Sequence, residues 1–338
     1  MKQILKKTLQ QPISIYRGSK SKQIKKSNKM MKKFKYYKSK GILPNLDNVI
    51  DCSGNNKHVL NEIFIDPDQK IPNLGLKNIN EWKIYSLIEC PGLIVIKNPF
   101  TSLGQRYYIK KLVKDYTKNH PNNLLESKFK QNIIKDFWAS WIEEVDQQQK
   151  RLIKKSMRWT TLGYHYDWTN KVYNEQNKNE FPEELSKLIS VFAEVLNFND
   201  FMSEAAIINF YHIGNTLSAH SDHSEICNAP LFSISFGQPA VFLMGGTSKD
   251  DDAIPILLNS GDVLVMSGNS RFNYHSVPRI FESESKPWND DQNINNCSRL
   301  NSDDLNECLC QENWSQFDSY LSDSRINVNV RQYKNKTG

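Results

Sequence analysis

The feature that most constrains the fold is a change in the spacing of apolar residues near residue 204. Before it, apolar residues recur at three- and four-residue steps, as in amphipathic helices; after it, short runs alternate apolar and polar residues, as in half-buried strands. Gly, Asn, Pro and Asp separate the six predicted strands, which are 206–212, 231–236, 240–244, 254–258, 263–266 and 326–332. Several short strands after a helical half favour an α+β protein. Its core would be a double-stranded β-helix, or jelly roll, with helices packed on one side.

The first half of the chain carries three apolar stripes with helical spacing. The clearest lies in 128–145, where the stripe consists of Ile134, Phe137, Trp138, Trp141, Ile142 and Val145. A weaker stripe occupies 104–117, and a third follows Pro182, which suits the first turn of a helix. We predict that these helices cover the sheets of the second half.

These patterns divide the chain into parts. Residues 41–155 are predicted to form an N-terminal helical extension, and 156–338 the jelly-roll domain. Within that domain, 282–313 is polar and acidic without a period, which is typical of an insertion loop.

The first forty residues differ from the rest in charge. Residues 1–40 contain fourteen Lys or Arg and no Asp or Glu, so the remaining chain is net acidic. Low apolar content predicts a disordered tail, and its charge suits contact with nucleic-acid phosphates or nuclear import. A mitochondrial presequence is another reading, because 1–20 is basic and partly apolar. We expect a nuclear location first, with mitochondrial and cytoplasmic locations as alternatives.

Other sequence features limit the environment of the protein. No run approaches the roughly 18 apolar residues of a membrane span, so no membrane association is expected. The six cysteines are dispersed without a CxxC pair, and no secretory signal is visible, which favours a reducing compartment. We expect a monomer.

A candidate metal site is formed by His220-Ser-Asp222 and the distant His275. On an extended segment, the side chains of residues two apart point to the same face, so His220 and Asp222 can bind one metal ion. His275 follows the predicted strand 263–266 and a glycine, near a strand end. Two imidazoles and one carboxylate can hold Fe(II) and leave three positions open. The alternative is a chance pair on a surface loop, because the chain has seven histidines.

The segment from Arg325 to Arg331 alternates strictly between polar and β-branched residues. In a strand, both arginines and the asparagines between them, including Asn327, would share one face. By the same alternation, Asn209 and Tyr211 would share one face of an earlier predicted strand and could contact the same ligand. Two guanidinium groups suit a dicarboxylate, since each pairs bidentately with a carboxylate. Iron with an organic diacid indicates oxidation by O2, whereas a solvent-facing edge strand is the alternative.

Four motifs make the sequence recognisable. They are Arg158-Trp-Thr-Thr-Leu-Gly-Tyr164-His-Tyr-Asp-Trp168, Leu231-Phe-Ser-Ile-Ser-Phe-Gly-Gln238, Ser260-Gly-Asp-Val-Leu-Val-Met-Ser-Gly268 and the stretch 325–332. With these motifs the chain resembles the AlkB family of Fe(II)/2-oxoglutarate-dependent nucleic-acid dioxygenases, most closely the subfamily of the first animal AlkB homologue. The resemblance covers about 46–332, nearly everything outside the basic tail.

The resemblance implies Fe(II), 2-oxoglutarate and O2 as cofactor and cosubstrates. It implies that His220, Asp222 and His275 are the catalytic iron ligands. It also implies that 2-oxoglutarate is held at its distal carboxylate by Arg325 and Tyr211. Asn209 and Arg331 would hold the carboxylate beside the keto group, and Asn327 lies on the same polar face.

The resemblance also implies a pocket for a methylated base. Trp159 and Tyr164 fall where the family places pocket aromatics, which would stack on a flipped base. Trp168 is expected in the core. Bacterial repair enzymes carry an acid two residues past the ligand Asp, where this chain has Ser224. Glu225 is therefore predicted to read an exocyclic amine instead.

The activity implied by the resemblance is oxidative demethylation of N-methylated bases in a nucleic-acid partner, with the base unpaired or flipped. The candidate substrates are N6-methyladenine in DNA, 1-methyladenine in tRNA and 3-methylcytosine. Two alternatives are a protein side-chain hydroxylase of the same chemistry and a non-catalytic nucleic-acid-binding jelly-roll module.

Overall fold

The computed structural model describes residues 28–41, 44–52, 59–118, 136–290 and 307–335. The helices in these ranges are α1 (Lys29–Lys38), α2 (Ser102–Lys110), α3 (Phe137–Glu143), α4 (Gln147–Ser156), α5 (Glu183–Val195) and α6 (Gln311–Leu321). A π-helical turn, Lys111–Asp115, continues α2. Within the described ranges, no helix is both long enough and apolar enough to cross a membrane.

The strands form two antiparallel sheets. The first strands in the chain are β1 (Leu60–Glu62), β2 (Lys83–Leu87), β3 (Leu93–Lys97), β4 (Trp159–Asp167), β5 (Val172–Lys178), β6 (Ala205–His212) and β7 (Leu217–His220). They are followed by β8 (Leu231–Gly237), β9 (Ala240–Met244), β10 (Ile254–Leu258), β11 (Val263–Met266), β12 (His275–Ile280) and β13 (Ser324–Arg331). The large sheet has the order β1-β2-β3-β11-β8-β13-β6-β4-β5, and the small sheet has the order β10-β9-β12-β7.

The predicted α+β jelly roll is confirmed. Each of the six predicted strands is present, with ends that shift by at most a few residues. The outward face of the large sheet packs against helices in one apolar core, to which α5 contributes Leu188 and Phe192 and β13 contributes Ile326 and Val328. The predicted helices at 104–117 and after Pro182 are also present, as α2 and α5.

The predicted helical extension over 41–155 is wrong as a separate unit. Strands β1 to β3 lie inside this range and join the large sheet, where Ile96 of β3 pairs with Val263 of β11. β3 is a short apolar run buried within the sheet, and such a run has no period that separates it from a helix segment. The helix predicted through residue 145 ends at Glu143, and Val145 is exposed. Residues 128–135 of that prediction lie outside the described residues.

The predicted disordered tail is wrong for its last part. Helix α1 has an apolar stripe formed by the buried residues Met30, Phe34 and Tyr37. This stripe packs against Val241 and Leu243 of the small sheet, and Arg279 of β12 donates to two carbonyls at the helix C-terminus. The stripe is interleaved with lysines, so the composition hid it. Residues 1–27 lie outside the described residues, and the predictions for them stay predictions.

The described flanks of the predicted insertion are attached to the core. The Arg106 side chain of α2 is buried and donates to the carbonyl oxygens of Trp288 and Cys308, at 2.6 and 3.0 Å. The prediction of an irregular segment through 313 is wrong at its end, because α6 begins at Gln311. Residues 291–306 lie outside the described residues.

Candidate metal centre and surrounding cavity

A cavity of about 360 Å³ lies between the two sheets. Its walls come from β6, β8 and β13 of the large sheet and from β7 and β12 of the small sheet. At one side the cavity reaches the turn between β4 and β5, where Trp168 and Lys171 line it. The fold thus brings together residues that are far apart in the sequence.

The two predicted histidine ligands face each other across a strand pair. His220 ends β7, His275 begins β12, and the two residues are paired in register with ring centroids 4.3 Å apart. Asp222 follows β7, and one ligand atom from each of the three residues lies within 4.8 Å of the others. Among the described residues, this cluster is the only such group of metal-ligating side chains. The predicted triad is therefore assembled.

Backbone hydrogen bonds orient both imidazoles. Nδ1 of His220 is 2.9 Å from the carbonyl oxygen of Ser218, and Nδ1 of His275 is 3.2 Å from that of Asn273. A carbonyl can only accept, so each Nδ1 carries the hydrogen and each Nε2 keeps the lone pair that a metal requires. Orientation of this kind is common for histidines that ligate metals.

The charges around the triad favour metal-binding protonation states. Burial, aided by the neighbouring His220, lowers the pKa of His275 to about 4, so this imidazole is neutral near pH 7. Burial alone would raise the pKa of Asp222. The positive charge of Arg331, with smaller contributions from the histidines, outweighs burial and holds that pKa well below its usual range. A neutral imidazole and an ionised carboxylate are the forms that bind a metal.

The inner end of the cavity contains Arg325, which is buried. Its Nη1 donates to the carbonyl oxygens of Gln238 and Leu258 at 3.0 and 3.1 Å, and its Nη2 donates to Oγ of Ser235 at 2.6 Å. Burial lowers the pKa of Arg325 to about 10, so the group remains charged near pH 7. The guanidinium is thereby held in one orientation beside the cavity.

Two polar atoms at this inner end have no hydrogen-bond partner among the described residues. They are Nε of Arg325 and the hydroxyl of Tyr211, and both residues line the cavity. Burial raises the pKa of Tyr211, so its hydroxyl remains a donor. An unpaired buried donor costs about 1–3 kcal/mol, so the pair fits an anionic ligand that accepts from both. The predicted site for a distal carboxylate matches this geometry.

The other predicted arginine lies next to the triad. Arg331 donates from Nη2 to Oδ2 of Asp222 at 3.0 Å and from Nη1 to the hydroxyl of Tyr173 at 3.1 Å. Its Nε is a third buried polar atom without a hydrogen-bond partner among the described residues. Arg331 and Arg325 therefore line one cavity from the same strand, as alternation predicts.

The two predicted asparagines lie opposite each other in the register of β6 and β13, and both line the cavity. The amide nitrogen of Asn327 donates to Oγ of Ser233 at 2.8 Å and to the carbonyl of Ile234 at 3.1 Å. Its oxygen accepts from the amide of Asn329. Asn327 is thus committed to the sheet, and Asn209 is the asparagine better placed to contact a ligand.

The predicted base-pocket aromatics need correction. Trp168, which we expected in the core, is 48% exposed and lines the cavity with Tyr166. Trp159 does not belong to the lining but packs against Trp168, with ring centroids 4.9 Å apart. Trp159 therefore supports the indole that faces the cavity.

The prediction for Tyr164 is also wrong. Its ring is buried against Tyr333, and its hydroxyl donates to Glu175 at 2.9 Å, outside the cavity lining. The cause is Gly163, where φ is +67° and a Cβ would lie 2.0 Å from the carbonyl oxygen of Glu204. The backbone leaves regular strand geometry there, and the register shifts between residues 164 and 166.

Glu225, which is predicted to read a base, lines the cavity and pairs with two arginines. Its side chain is fully buried, and its Oε2 accepts from Nη2 of Arg271 at 3.0 Å. Its Oε1 lies 3.3 Å from Nη1 of Arg331. Both carboxylate oxygens lie beside guanidinium groups, but Oε1 accepts no hydrogen bond from the described residues. The role of Glu225 toward an exocyclic amine therefore stays a prediction.

Sequence reasoning missed four residues at the site. They are Tyr166, Lys171, Tyr173 and Arg271. Alternation from Trp168 would have found Tyr166, because the two residues are two apart in one motif. Arg271 lies in the turn before β12 and has no periodicity to mark it.

Comparisons with known proteins agree with this geometry. The profile of the 2OG-Fe(II) oxygenase superfamily matches residues 92–331, a range that contains the triad and both arginines. A human relative, nucleic acid dioxygenase ALKBH1, is 32% identical over 326 residues, which cover 89% of this chain and 82% of that protein.

Two further relatives come from yeast and a plant. The tRNA demethylase abh1 of Schizosaccharomyces pombe is 31% identical over 289 residues, which cover 80% of this chain and 88% of that protein. The DNA N(6)-methyladenine demethylase ALKBH1A of Arabidopsis thaliana is 35% identical over 185 residues, which cover 54% of this chain and 50% of that protein.

Proposed function

The chain belongs to the AlkB family of the 2OG-Fe(II) oxygenase superfamily, and we propose that it removes methyl groups from N-methylated bases of nucleic acids. It is an Fe(II)/2-oxoglutarate-dependent dioxygenase that uses O2. The observation that carries the proposal is the set of residues that share the cavity between the two sheets. A ligand triad, two buried arginines and an exposed indole all line it.

We assign the iron to His220, Asp222 and His275. Their ligand atoms are close enough for one ion, and the protonation states of Asp222 and His275 suit it. When bound, iron with 2-oxoglutarate and O2 supplies the oxidation of an N-methyl group, with formaldehyde, succinate and CO2 as products. The role of the protein is to hold the reactants in register.

We assign the distal carboxylate of 2-oxoglutarate to Arg325 and Tyr211. The unpartnered Nε and hydroxyl of these residues support this assignment. The carboxylate beside the keto group is assigned to Arg331 and Asn209, because Arg331 lies against Asp222. Two charged donors from one rigid strand would fix both ends of the diacid.

We assign the target base to the mouth of the cavity. Trp168 offers an exposed indole face, and a base taken out of its stack needs such a surface. Lys171 stands beside it and can contact a phosphate. Oγ of Ser224 contacts the hydroxyl of Tyr166 at 3.3 Å and the carbonyl of Lys171 at 3.2 Å, which connects this mouth to the loop that carries Asp222.

The substrates that we propose follow the names of the relatives. One relative is named a tRNA demethylase and another a DNA N(6)-methyladenine demethylase. N6-methyladenine in DNA and 1-methyladenine in tRNA are therefore the first candidates, with 3-methylcytosine as the third. Single-stranded, looped or bubbled substrates should react best, because flipping a base costs least there.

A panel of substrates tests the proposal. The full chain is incubated with Fe(II), 2-oxoglutarate and O2 and with oligonucleotides that carry each modification, paired and unpaired. Nucleosides are then quantified by mass spectrometry. We expect loss of at least one methylated nucleoside with wild-type protein and none with His220→Ala. If wild-type protein that turns over 2-oxoglutarate left all three methylated nucleosides intact, the proposal would be wrong.

A further inference from the structure

Four charged side chains form a continuous group beside the candidate metal ligand. We call this group the charge quartet, and its members are Asp222, Glu225, Arg271 and Arg331. Glu225 bridges the two arginines at 3.0 and 3.3 Å, and Arg331 in turn contacts Asp222 at 3.0 Å. The side chains of Glu225 and Arg271 are 0% and 1% exposed.

Arg271 also holds the backbone around Asp222. Its Nη1 donates to the carbonyl of Asp222 at 3.3 Å, and its Nε donates to the carbonyl of Ala229 at 2.9 Å. Residues 221–230 contain no strand, so ladder pairing does not hold this loop. Arg271 itself lies four residues before His275. It therefore connects the loop that carries one ligand to the strand that carries another.

The quartet contains two negative and two positive charges. Without Glu225, two guanidinium groups would face the single carboxylate of Asp222. Arg331 would then pair with Asp222 alone and compete with a cation for it, because buried charges interact strongly. With Glu225 present, Arg331 pairs with two carboxylates, so the carboxylate of Asp222 remains available to a metal ion.

We propose that Glu225 and Arg271 are positioning residues for the metal centre. Glu225 holds Arg331 away from exclusive pairing with Asp222, and Arg271 fixes the backbone on which Asp222 stands. This inference deepens the proposed function and rests on the assignment of the triad as the metal site. It replaces a base-reading role for Glu225 with a role in metal binding.

The test measures metal affinity rather than turnover. Co(II) is the probe, since its visible absorption reports its ligand geometry, and it is titrated into the full chain without 2-oxoglutarate or nucleic acid. We expect Glu225→Gln and Arg271→Met each to weaken Co(II) binding by about 10-fold to 100-fold, the usual effect of losing a group that orients a metal ligand. Binding of a labelled methylated oligonucleotide to Glu225→Gln should stay within about twofold of wild type.

A charge-balanced double variant separates positioning from stability. Removing one partner of a buried pair leaves an unpaired charge, whereas removing both does not. Glu225→Gln/Arg271→Met should therefore regain most of the Tm that either single variant loses. Its Co(II) affinity should stay low, because Arg331 still lacks Glu225 and the loop still lacks Arg271. Recovery of Co(II) affinity together with Tm would show that the pair is only structural.

Two controls complete the design. Asp262→Asn removes another buried carboxylate, which pairs with Lys97 at 2.6 Å, and it should lower Tm without changing Co(II) affinity. His220→Ala should lose Co(II) binding. If wild type and His220→Ala bound Co(II) alike, the triad assignment would fail. The positioning role would fail if the quartet variants bound Co(II) as tightly as wild type while His220→Ala did not. It would also fail if Glu225→Gln changed oligonucleotide binding but not Co(II) affinity.

Discussion

The inner end of the cavity and its mouth are built in different ways. At the inner end, the continuous ladder β8-β13-β6 presents Arg325 and Asn209, and Arg325 is fixed by three internal hydrogen bonds. The mouth is built from the β4–β5 hairpin, whose register shifts. A ladder places side chains to within a fraction of an ångström, whereas a hairpin end can adapt to different partners.

This difference matches the two tasks of the site. One cosubstrate and one metal must be bound in a single geometry, and the inner end is preorganised for them. An exposed indole with a nearby lysine suits the proposed base on either DNA or RNA. Substitutions at the two ends should therefore have separable effects.

The largest effect is expected at the triad. His220→Ala, Asp222→Ala and His275→Ala should each reduce succinate formation to background, because two ligands no longer hold the metal in its geometry. The measurement is succinate release at saturating Fe(II), with circular dichroism to verify the fold. Turnover that persisted in any folded single variant would remove that residue from the site.

The next largest effect is expected at Arg331. Arg331→Ala should raise the KM for 2-oxoglutarate by about 10-fold to 100-fold, since a hydrogen bond to a charged group contributes about 1.5–3 kcal/mol. Arg325→Ala should raise this KM too, but by less, because its carboxylate lies away from the metal. Initial rates at graded 2-oxoglutarate concentrations give both values. An unchanged KM in both variants would show that this strand does not bind the cosubstrate.

A smaller effect, confined to the mouth, is expected for Trp168→Ala. It should weaken binding of a single-stranded methylated oligonucleotide by about 1–3 kcal/mol, the contribution of one stacked base. The KM for 2-oxoglutarate should not change. Val172→Ala on the same hairpin is the control, since Val172 is 49% exposed but does not line the cavity. Equal losses in the two variants would point to hairpin destabilisation rather than stacking.

The smallest effect is expected for Tyr211→Phe at the inner end. The hydroxyl that it removes has no hydrogen-bond partner among the described residues, so Tm should stay the same or rise. The KM for 2-oxoglutarate should increase by about 10-fold, the lower end of the range for a hydrogen bond to a charged group, about 1.5–3 kcal/mol, because Arg325 still pairs with the carboxylate. A drop in Tm without a change in KM would mean that the hydroxyl serves the fold instead.

The same difference explains what could be predicted from the sequence. Alternation along β13 correctly placed Arg325 and Arg331 on one face, because a ladder keeps its period of two. The spacing of His220 and Asp222 also predicted that the two side chains lie together, although Asp222 stands two residues past the end of β7. Which side chains of β13 face the inner end of the cavity can thus be predicted from the local sequence pattern.

The mouth could not be read in this way. Gly163 has a positive φ within β4 and the register with β5 shifts beyond it, so neither the motif nor its spacing shows which side chains face the cavity. The ion pairs of Glu225 could not be predicted because its two partners, Arg271 and Arg331, are 46 and 106 residues away in the chain. Only the folded structure shows that its charge is already neutralised. Helix α1 was missed for a related reason, since its apolar stripe is interleaved with lysines.

The most direct test of the account counts products in a single reaction. The full chain is given Fe(II), 2-oxoglutarate, O2 and a single-stranded oligonucleotide with one methylated base, and succinate, formaldehyde and demethylated base are quantified together. We predict equal amounts of all three, and far less succinate with the matched unmethylated strand. Equal succinate from both strands, without formaldehyde or base repair, would contradict the assignment of the mouth to a methylated base.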